Sequence, residues 1–397
     1  MNYILFDDEK VGQLWPLTLT RPSADLRLGI LTISEKWQHR LSGSFSFKTT
    51  PYLQPKFAEN INEDNVLING RCLPNDKLAE LIANLKPFEG IRDADGEVIA
   101  FTTIKQQQGG HTHIQNWQET EVNWLEYPEQ IFAENAAELE LDFDLITANR
   151  PSANIPSNVS VTGSGRIFIE DSAIVEACYL NASDGPIYIG NHAEIMQGSM
   201  IRGAFSLGDH SIVKMGAKIY GATSVGPHSR VGGEINNCVF HGFSNKGHDG
   251  FLGNSVIGEW CNLGADSNNS NLKNNYAEVK LWDYTTKRFR STGKQFCGLI
   301  MGDHSKCGIN TMFNTGTVIG VCANIFGSGF PRNFVPSFAW GGAAGFSTYQ
   351  LNKVFETAEV VFSRRNLAFG QVEKELIQHV FTMQQGFRNW ENTNNKV

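Results

Sequence analysis

The chain has 397 residues, which is long for one domain and predicts two or more. Its 41% hydrophobic share is ordinary for a soluble globular protein, and a net charge of −8 argues against nucleic acid as the main partner. The seven cysteines have the spacing of neither a disulfide framework nor a zinc site. With no run of 18 apolar residues and an N-terminus unlike a signal peptide, we expect no membrane partner and a cytoplasmic location.

Residues 1–150 show no long repeat and have the pattern of a mixed α/β domain. The apolar run at residues 3–6 predicts a buried first strand, and residues 66–68 predict another. Asn75 is suited to N-cap the helix that follows. Strand, polar turn and helix in that order are typical of βα units.

Two arginines are candidate nucleotide-binding residues of this domain. Arg21 and Arg71 each follow an apolar run, and ligands of βα units sit at the carboxyl ends of strands. Arginine also suits phosphate because its guanidinium group can donate two parallel hydrogen bonds. The alternative is that both arginines make ordinary surface salt bridges.

After a linker rich in turn residues at 151–186, apolar residues recur six positions apart. The positions are Ile189, Ile195, Ile201, Leu207, Val213, Ile219, Val225 and Val231, then Ile257 and Leu263, then Met301, Cys307, Phe313, Ile319 and Ile325. A period of six fits neither a helix nor a plain strand and indicates the hexapeptide repeats of a β-helix. Three hexads close a coil of 18 residues, so Ile189, Leu207 and Val225 should stack in one column. The glycine that often follows each apolar position is expected to relax the backbone there.

The six-residue rhythm is interrupted at 232–256 and again at 264–300. Insertions in solenoids map to loops that often form a binding face. The second segment suits a polar, phosphate-bearing ligand better than a core, because it concentrates asparagines, aromatic rings and cations. These include Trp282, Tyr284, Lys287, Arg288, Arg290 and Lys294.

From residue 331 the rhythm stops, and apolar residues at helical spacing predict two helices, around 351–362 and 372–381. We expect them to cover the open end of the solenoid. The predicted domains are therefore 1–150, 151–335 and 336–397.

Residues 216–325 resemble the acetyltransferase half of the bifunctional bacterial N-acetylglucosamine-1-phosphate uridylyltransferase/glucosamine-1-phosphate acetyltransferase, the GlmU-like family. The best local match is Lys-Gly-His-Asp-Gly-Phe-Leu-Gly-Asn at 246–254, and Leu-Thr-Arg-Pro-Ser-Ala-Asp-Leu-Arg at 19–27 resembles a motif of sugar nucleotidyltransferase-like proteins. The resemblance implies a nucleotidyltransferase-like α/β domain, then a left-handed parallel β-helix, then a C-terminal helical segment. It also implies a homotrimer with active sites between subunits.

The same resemblance implies roles for five residues of the β-helix. His248 takes the place of the family's general base. Asn262 and Asn271 fall on or near asparagines that line the acceptor site, and Lys218 falls where the family has a phosphate-binding arginine. Asn236 replaces a lysine that contacts the acceptor. Four other histidines of the solenoid are expected to be solvated outward positions: His210, His228, His241 and His304.

Departures from the family leave the substrate open. Asp7 and Asp8 stand where a glycine-rich loop should approach the triphosphate, and carboxylates there would repel it. Phe251 replaces a family tyrosine, so the acceptor need not be glucosamine 1-phosphate.

We therefore expect an enzyme, a transferase of sugar-nucleotide metabolism. The first hypothesis is an acyl-CoA-dependent acyltransferase acting on an amino-sugar phosphate or a nucleotide sugar, coupled to a divergent sugar-phosphate nucleotidyltransferase domain. It would use acetyl-CoA or another acyl-CoA, with Mg²⁺ and UTP or dTTP at the N-terminal domain, although no residue can be assigned as a metal ligand. The alternatives are a nucleotidyltransferase whose β-helix only trimerises it and a non-catalytic scaffold that binds sugar nucleotides.

Overall fold

The computed structural model describes residues 1–104, 114 and 116–393. Its N-terminal domain contains eight described strands, six of them in one mixed sheet of order β2-β1-β3-β6-β5-β7, while β4 pairs with β8. The strands are β1 (Asn2–Phe6), β2 (Ser44–Lys48), β3 (Asp64–Asn69), β4 (Cys72–Leu73), β5 (Glu89–Arg92), β6 (Val98–Ile104), β7 (Asn116–Glu119) and β8 (Asn123–Trp124). The two strands predicted from apolar runs are thus confirmed as β1 and β3, which pair in parallel.

Four α-helices accompany this sheet: α1 (Ile33–Arg40), α2 (Asp76–Ala83), α3 (Pro128–Ala133) and α4 (Asn135–Thr147). The predicted cap of α2 is confirmed, because the Asn75 side chain accepts a hydrogen bond of 2.8 Å from the backbone N–H of Leu78. Helix α1 begins in the same way, with Thr32 and Glu35 forming a capping box.

Residues 160–342 wind into a parallel β-helix whose strands form three faces. Face 1 contains Ile167–Ile169, Ile187–Ile189, Phe205–Leu207, Thr223–Val225, the second halves of Glu234–Gly242 and Phe251–Glu259, then Leu299–Met301, Thr317–Ile319 and Phe334–Val335. Face 2 contains Ile174–Val175, Glu194–Ile195, Ile212–Val213, Arg230–Val231, Asn245–Lys246, Asn262–Leu263, Lys306–Cys307, Asn324–Ile325 and Ala339–Gly342, to which Gly345–Thr348 adds an antiparallel strand. Face 3 contains Ser160–Thr162, Tyr179–Asn181, Met200–Arg202, Lys218–Tyr220, the first halves of the same two long strands, Asn268–Asn269 and Met312–Phe313. The predicted column is confirmed, since Ile189 lies against Leu207 and Leu207 against Val225.

The glycines that follow the apolar positions have a different role from the one predicted. Gly226 does not adopt a left-handed backbone conformation, but a Cβ atom on it would lie 2.0 Å from the carbonyl oxygen of His241 in the next coil. The left-handed corners are instead occupied by residues such as His192, His210 and His228, with φ of 53°, 59° and 58°. Glycine is therefore needed for close stacking of coils, and the prediction that it relaxes the backbone is wrong.

The first interruption of the rhythm is not a break in the solenoid. The strand pairing continues through shorter coils, in which Val225 lies against Phe240 and Phe240 against Ile257. In this region Lys246 pairs with Val231 and is only 2% exposed, so a lysine occupies a position in the coil that apolar residues fill elsewhere.

The second interruption is a true insertion, and part of it is core. Its hairpin, Lys280–Asp283 and Arg288–Ser291, contributes Leu281 and Tyr284 to the hydrophobic core of the N-terminal domain. Arg290 donates hydrogen bonds of 2.7 and 2.9 Å to the carboxylate of Glu129 and lies 3.7 Å from the ring centroid of Tyr127. Outward residues of face 1, including Val256 and Ile300, join the same core. The insertion therefore clamps the N-terminal domain onto face 1.

The C-terminal helices are α5 (Leu351–Ser363), α6 (Gln371–Met383) and α7 (Asn389–Thr393). Helices α5 and α6 pack along the edge between faces 1 and 2, where Phe362 stacks on Trp260 at a centroid distance of 4.0 Å. The expectation that they cover the open end is wrong, because α5 and α6 pack along this edge, whereas Phe346 and Trp390 pack against the core of the solenoid. Within the part of the chain described, no helix is both long enough and apolar enough to cross a membrane.

Candidate functional site

His248 lies on the corner between faces 2 and 3, between the strands Asn245–Lys246 and Phe251–Glu259. Its side chain is exposed, and no hydrogen bond to it is formed by the residues that the structure describes. Gly233 of the preceding coil approaches this corner closely, since a Cβ atom there would be 2.6 Å from the carbonyl oxygen of His248. The corner is thus built against backbone, with its imidazole left available.

The backbone of this corner is held from inside the solenoid by Lys246. Its ammonium group donates hydrogen bonds of 3.0 Å to the carbonyl oxygen of Gly232 and 2.5 Å to that of His248. Burial lowers the pKa of Lys246 to about 8, although the nearby carboxylate of Asp249 acts in the opposite direction. A buried cation is costly unless hydrogen-bonded, so the two carbonyls stabilise it and it fixes them in return.

The three predicted asparagines lie on different parts of the neighbouring coils. Asn236 is on face 3, where Gly221 of the coil before approaches its side chain. Asn262 is exposed on face 2, next to Asn245 in the adjacent coil. Asn271 stands at the start of the insertion, and its amide donates 2.8 Å to Asn254. The structure therefore puts Asn236 and Asn262 within a coil of His248, on either side of its corner.

Asn271 belongs to a ladder of amides on the corner between faces 3 and 1. Asn254 accepts a hydrogen bond from Asn271. With the Asn237 amide in the orientation that satisfies its neighbours, the Asn254 amide nitrogen donates a hydrogen bond of 3.0 Å to the Asn237 oxygen. Lys218 lies on face 3 one coil before Glu234 and is exposed. The assignments of Lys218 and of the three asparagines as substrate-binding residues stay predictions.

The carboxyl ends of β1, β2 and β3 converge as expected for βα units, but their polar groups bind one another. Arg71 is 1% exposed, and its Nε donates 2.9 Å to Asp8, which also accepts from Asn69. Asp7 accepts hydrogen bonds from Ser23 and from the hydroxyl of Thr49. These carboxylates are already occupied, and no glycine-rich loop is present, so the residues here do not fit a magnesium-bound triphosphate.

Arg21 is buried against the β-helix. Its Nη2 lies 2.6 Å from Asp303 and 3.0 Å from Glu259, and its Nη1 lies 3.2 Å from Asp25. Burial alone would raise the pKa of Asp303, but the charge and hydrogen bonds of Arg21 lower it to about 2. Arg21 and Arg71 thus both make salt bridges, which was the alternative to nucleotide binding. These salt bridges are buried, whereas the alternative placed them at the surface. Their assignment to nucleotide binding stays a prediction.

A polar cavity of about 300 Å³ opens beside Arg21, between the N-terminal domain and face 1. His241 lies in its wall and is 3% exposed, so the expectation of a solvated outward position is wrong for this residue. Its Nδ1 accepts 3.1 Å from the backbone N–H of Arg27, whereas its Nε2 is buried with no partner among the described residues. Burial, together with the charge of Arg21, lowers the pKa of His241 to about 3, so the ring is neutral.

The polar residues of this cavity were not predicted, apart from Arg21. The sequence carried one signal for them: Arg21, Asp25 and Arg27 are the charged residues of the motif at 19–27, and all three line the cavity. Their partners Glu259 and His241 come from the β-helix. Among the described residues, no group of three or more His, Cys, Asp or Glu side chains is arranged to hold a metal ion.

Comparison with known proteins finds a family match in the N-terminal part of the chain. Residues 3–151 match the family described as sugar nucleotidyl transferase. The bifunctional protein GlmU of Methanocaldococcus jannaschii is 38% identical over 73 residues, which are 18% of this chain and 17% of that protein. The match therefore spans less than a fifth of the relative's length.

Solved structures similar to the chain include acyl-group transferases. The match to the polysialic-acid-specific acetyltransferase NeuO covers 48% of this chain and 85% of the NeuO chain, with 15% identity and a TM-score of 0.29. The match to Arabidopsis UDP-N-acetylglucosamine acyltransferase covers 54% of this chain and 78% of that enzyme's chain, with 14% identity and a TM-score of 0.22. Scores this low do not support comparison of individual residues. The family match over residues 3–151 nevertheless agrees with the mixed α/β fold of the N-terminal domain, which the parallel β-helix follows.

Proposed function

We propose that this chain is a transferase of sugar-nucleotide metabolism, in which the β-helix transfers an acyl group from acyl-CoA to an amino-sugar phosphate or a nucleotide sugar. The N-terminal domain is a divergent sugar-phosphate nucleotidyltransferase domain. The observation that carries the proposal is the exposed imidazole of His248 on a corner whose carbonyl is held by Lys246.

In the proposed reaction His248 accepts a proton from the acceptor amine or hydroxyl as that group attacks the thioester carbonyl. The new C–N or C–O bond forms, the C–S bond breaks, and the proton passes to the departing thiolate of coenzyme A. Imidazole suits this work because it both accepts and returns a proton near neutral pH. Acetyl-CoA or another acyl-CoA is the donor.

The acceptor lies across the two faces that meet at His248. Amide groups of Asn236 and Asn262 bind its hydroxyls, and Asn271 borders the site from the amide ladder. Lys218 binds its phosphate, since an ammonium group pairs with a phosphate oxygen as a point charge. Positioning of this kind contributes to catalysis by holding the two reactants in one geometry.

The chain works as a homotrimer in this proposal, with the sites between subunits. The support is the surface of face 3, where two large apolar side chains are exposed in adjacent strands. Tyr179 lies against Met200, and the two residues are 59% and 45% exposed. Contiguous exposed apolar surface of this kind is typical of protein–protein contacts.

The test is transfer from acetyl-CoA, followed as release of free thiol, with glucosamine 1-phosphate and UDP-linked amino sugars offered as acceptors. His248→Ala should lower the rate by about 100-fold or more. The matched control is His192→Ala, which removes another exposed imidazole at a corner of the same solenoid. Near-full activity in His248→Ala would remove the assignment.

A second candidate is a non-catalytic protein that binds a sugar nucleotide, and the cavity beside Arg21 and His241 favours it. A thermal-shift screen separates the candidates, with acetyl-CoA, UTP, dTTP, a sugar phosphate and a finished nucleotide sugar each added alone. Stabilisation by acetyl-CoA supports acyl transfer, and stabilisation by the nucleotide sugar alone supports the scaffold. Stabilisation by UTP or dTTP alone would instead support a nucleotidyltransferase with a purely trimerising β-helix.

A further inference from the structure

A cavity of about 1380 Å³ is lined neither by His248 nor by the residues of the cavity beside Arg21. Its walls are the hairpin of the insertion, the last coils of the β-helix and the segment around Phe387 that follows α6. The volume exceeds the roughly 300–1,000 Å³ of most small-molecule pockets. An extended ligand with several chemical parts would fit.

The charge of this cavity has one sign. Four cations line it, Lys273, Lys280, Lys287 and Arg332, and no aspartate or glutamate does. Among the described residues, no acid forms an ion pair with Lys280, Lys287 or Arg332. Lys273 donates only to a backbone carbonyl, that of Glu278. In a chain of net charge −8, a cavity with four cations and no lining carboxylate indicates an anionic ligand.

Glu278 is an acid that interacts with two of these cations, but it forms no ion pair with them among the described residues. The pKa of the Glu278 carboxylate is lowered first by the hydrogen bonds that it accepts from Ser291 and Gly293, and then by the charges of Lys280 and Lys273. It is fully exposed and does not line the cavity. Lys287 lies 6.0 Å from the ring centroid of Phe387, an attraction that directs the ammonium group toward the same wall.

Aromatic rings form the rest of the wall. Trp282 and Phe334 stack at 4.3 Å with an interplanar angle of 11°, so these two rings support each other. Phe289 meets Trp282 edge-on at 5.3 Å and is 45% exposed, which leaves surface free for another ring. An exposed aromatic face beside cations is what binds a base together with its phosphates.

We propose that this cavity binds a phosphate ester that carries an aromatic base, such as a nucleoside diphosphate group. Lys280, Lys287 and Arg332 bind the phosphate oxygens, and the base stacks on Phe289. A nucleotide sugar and coenzyme A share this chemistry, and the experiment distinguishes them. The proposal holds whether or not His248 transfers an acyl group, because it concerns binding at a separate site.

The test is titration calorimetry of the full chain with UDP, ADP, coenzyme A, uridine and pyrophosphate as separate probes. UDP, ADP or coenzyme A should bind, and uridine and pyrophosphate should each bind at least tenfold more weakly because each supplies half of the contacts. Binding of coenzyme A but neither nucleotide would identify an acyl donor, and binding of a nucleotide but not coenzyme A would identify a nucleotide ligand. Binding of none of the five probes overturns the proposal.

Lys287→Ala with Arg332→Ala should weaken binding by about tenfold or more, as expected when charged hydrogen-bond donors are lost. Phe289→Ala should weaken UDP but leave pyrophosphate unchanged. The control is Arg288→Ala, a cation of the same hairpin that does not line the cavity. An equal loss in Arg288→Ala, or no loss in the double variant, would show that the cavity is not the site. All of these side chains are exposed, so melting temperatures should agree within a few degrees.

Discussion

The ammonium group of Lys246 donates a hydrogen bond of 2.5 Å to the carbonyl oxygen of His248, two residues further along the chain. The lysine lies in the strand before the corner and is 2% exposed, while the histidine on the corner is exposed. A second bond, of 3.0 Å, ties the same group to Gly232 in the preceding coil. Lys246 therefore couples the interior of the solenoid to the position of the proposed base.

Replacing Lys246 by Met should slow the proposed acyl transfer by about tenfold or more, because a loosened corner misplaces His248. The stability of the fold supplies a readout that does not depend on activity. Burial lowers the pKa of Lys246 from 10.5 to about 8 in the folded state. The cost of burying the charge is therefore fully present below pH 8 and disappears as the pH rises toward 10.5.

Urea denaturation of wild type and Lys246→Met at pH 7, 8, 9 and 10 checks this prediction. The difference in free energy of unfolding should shift in favour of the wild type as the pH rises through that window. Lys306→Met is the control, since Lys306 makes a similar bond of 2.9 Å to the carbonyl of His304 at another corner. Loss of acyl transfer in Lys306→Met to the same extent would contradict a specific role for Lys246.

The pair of Arg21 and Asp303 should be among the strongest contributors to domain docking. Both side chains are buried, and Asp303 also accepts 2.7 Å from Thr20. Asp303→Asn leaves the guanidinium group without its closest charge partner and should cost about 3–5 kcal/mol. Chemical denaturation measures this loss. Asp76→Asn, which removes the exposed partner of Arg40, should cost less than about 1 kcal/mol, and a similar loss in both variants would refute the prediction.

How far the sequence predicts this fold depends on how far apart the interacting residues lie. The column of Ile189, Leu207 and Val225 was predictable because each coil repeats the same side-chain pattern at fixed spacing. The position of Lys246 in the solenoid was not, since shorter coils move the register and make a continuous solenoid look interrupted.

The site beside Arg21 shows the same limit more sharply. The motif at 19–27 was visible, but its partners Glu259 and Asp303 are brought to it by the docking of two domains, which no local pattern encodes. His241 was expected to be solvated because its side chain points away from the solenoid core. That direction is covered by the N-terminal domain, whose Arg27 donates to its ring.

The neutral ring of His241 should make the protein sensitive to acid. Its pKa is lowered to about 3 in the folded state by burial and by Arg21, against an ordinary value of 6.5. The unfolded chain therefore binds a proton that the folded chain does not, and stability should fall as the pH drops from about 6.5 toward 3. His241→Asn keeps an acceptor for the N–H of Arg27 and should remove this component of the loss.

The measurement is the difference in unfolding free energy between wild type and His241→Asn from pH 7 to pH 4. Burial raises the pKa of Asp25 to about 6, which has the opposite effect: stability falls as the pH rises from about 3.8 to 6. That contribution is common to both proteins and should largely cancel in the difference. A difference that stays flat across the range, or an imidazole signal of His241 titrating near pH 6.5, would show that the ring is not held neutral.

Substitution of Gly226 tests why glycine occurs in the solenoid. Either the adjacent coils stack too closely for a side chain, or the backbone needs a conformation that other residues rarely adopt. Its φ lies outside the left-handed region, so alanine is acceptable to the backbone, yet a Cβ atom would meet the carbonyl oxygen of His241 at 2.0 Å. Gly226→Ala should therefore destabilise by about 1–3 kcal/mol or more, since backbone cannot move aside as a side chain can. Gly216, with φ of 67° and nothing within 4 Å, isolates the other cost. Gly216→Ala should lose about 1–2 kcal/mol from conformation alone.

Gly386 completes the comparison, because it has neither a left-handed φ nor a neighbour within 4 Å. Gly386→Ala should be neutral or slightly stabilising, by up to about 1 kcal/mol, through the lower entropy of the unfolded chain. Thermal and urea unfolding of the three variants rank the two causes directly. If Gly226→Ala were as stable as Gly386→Ala, the coils would have room to separate, and close stacking would no longer explain why glycine follows the apolar positions of this solenoid.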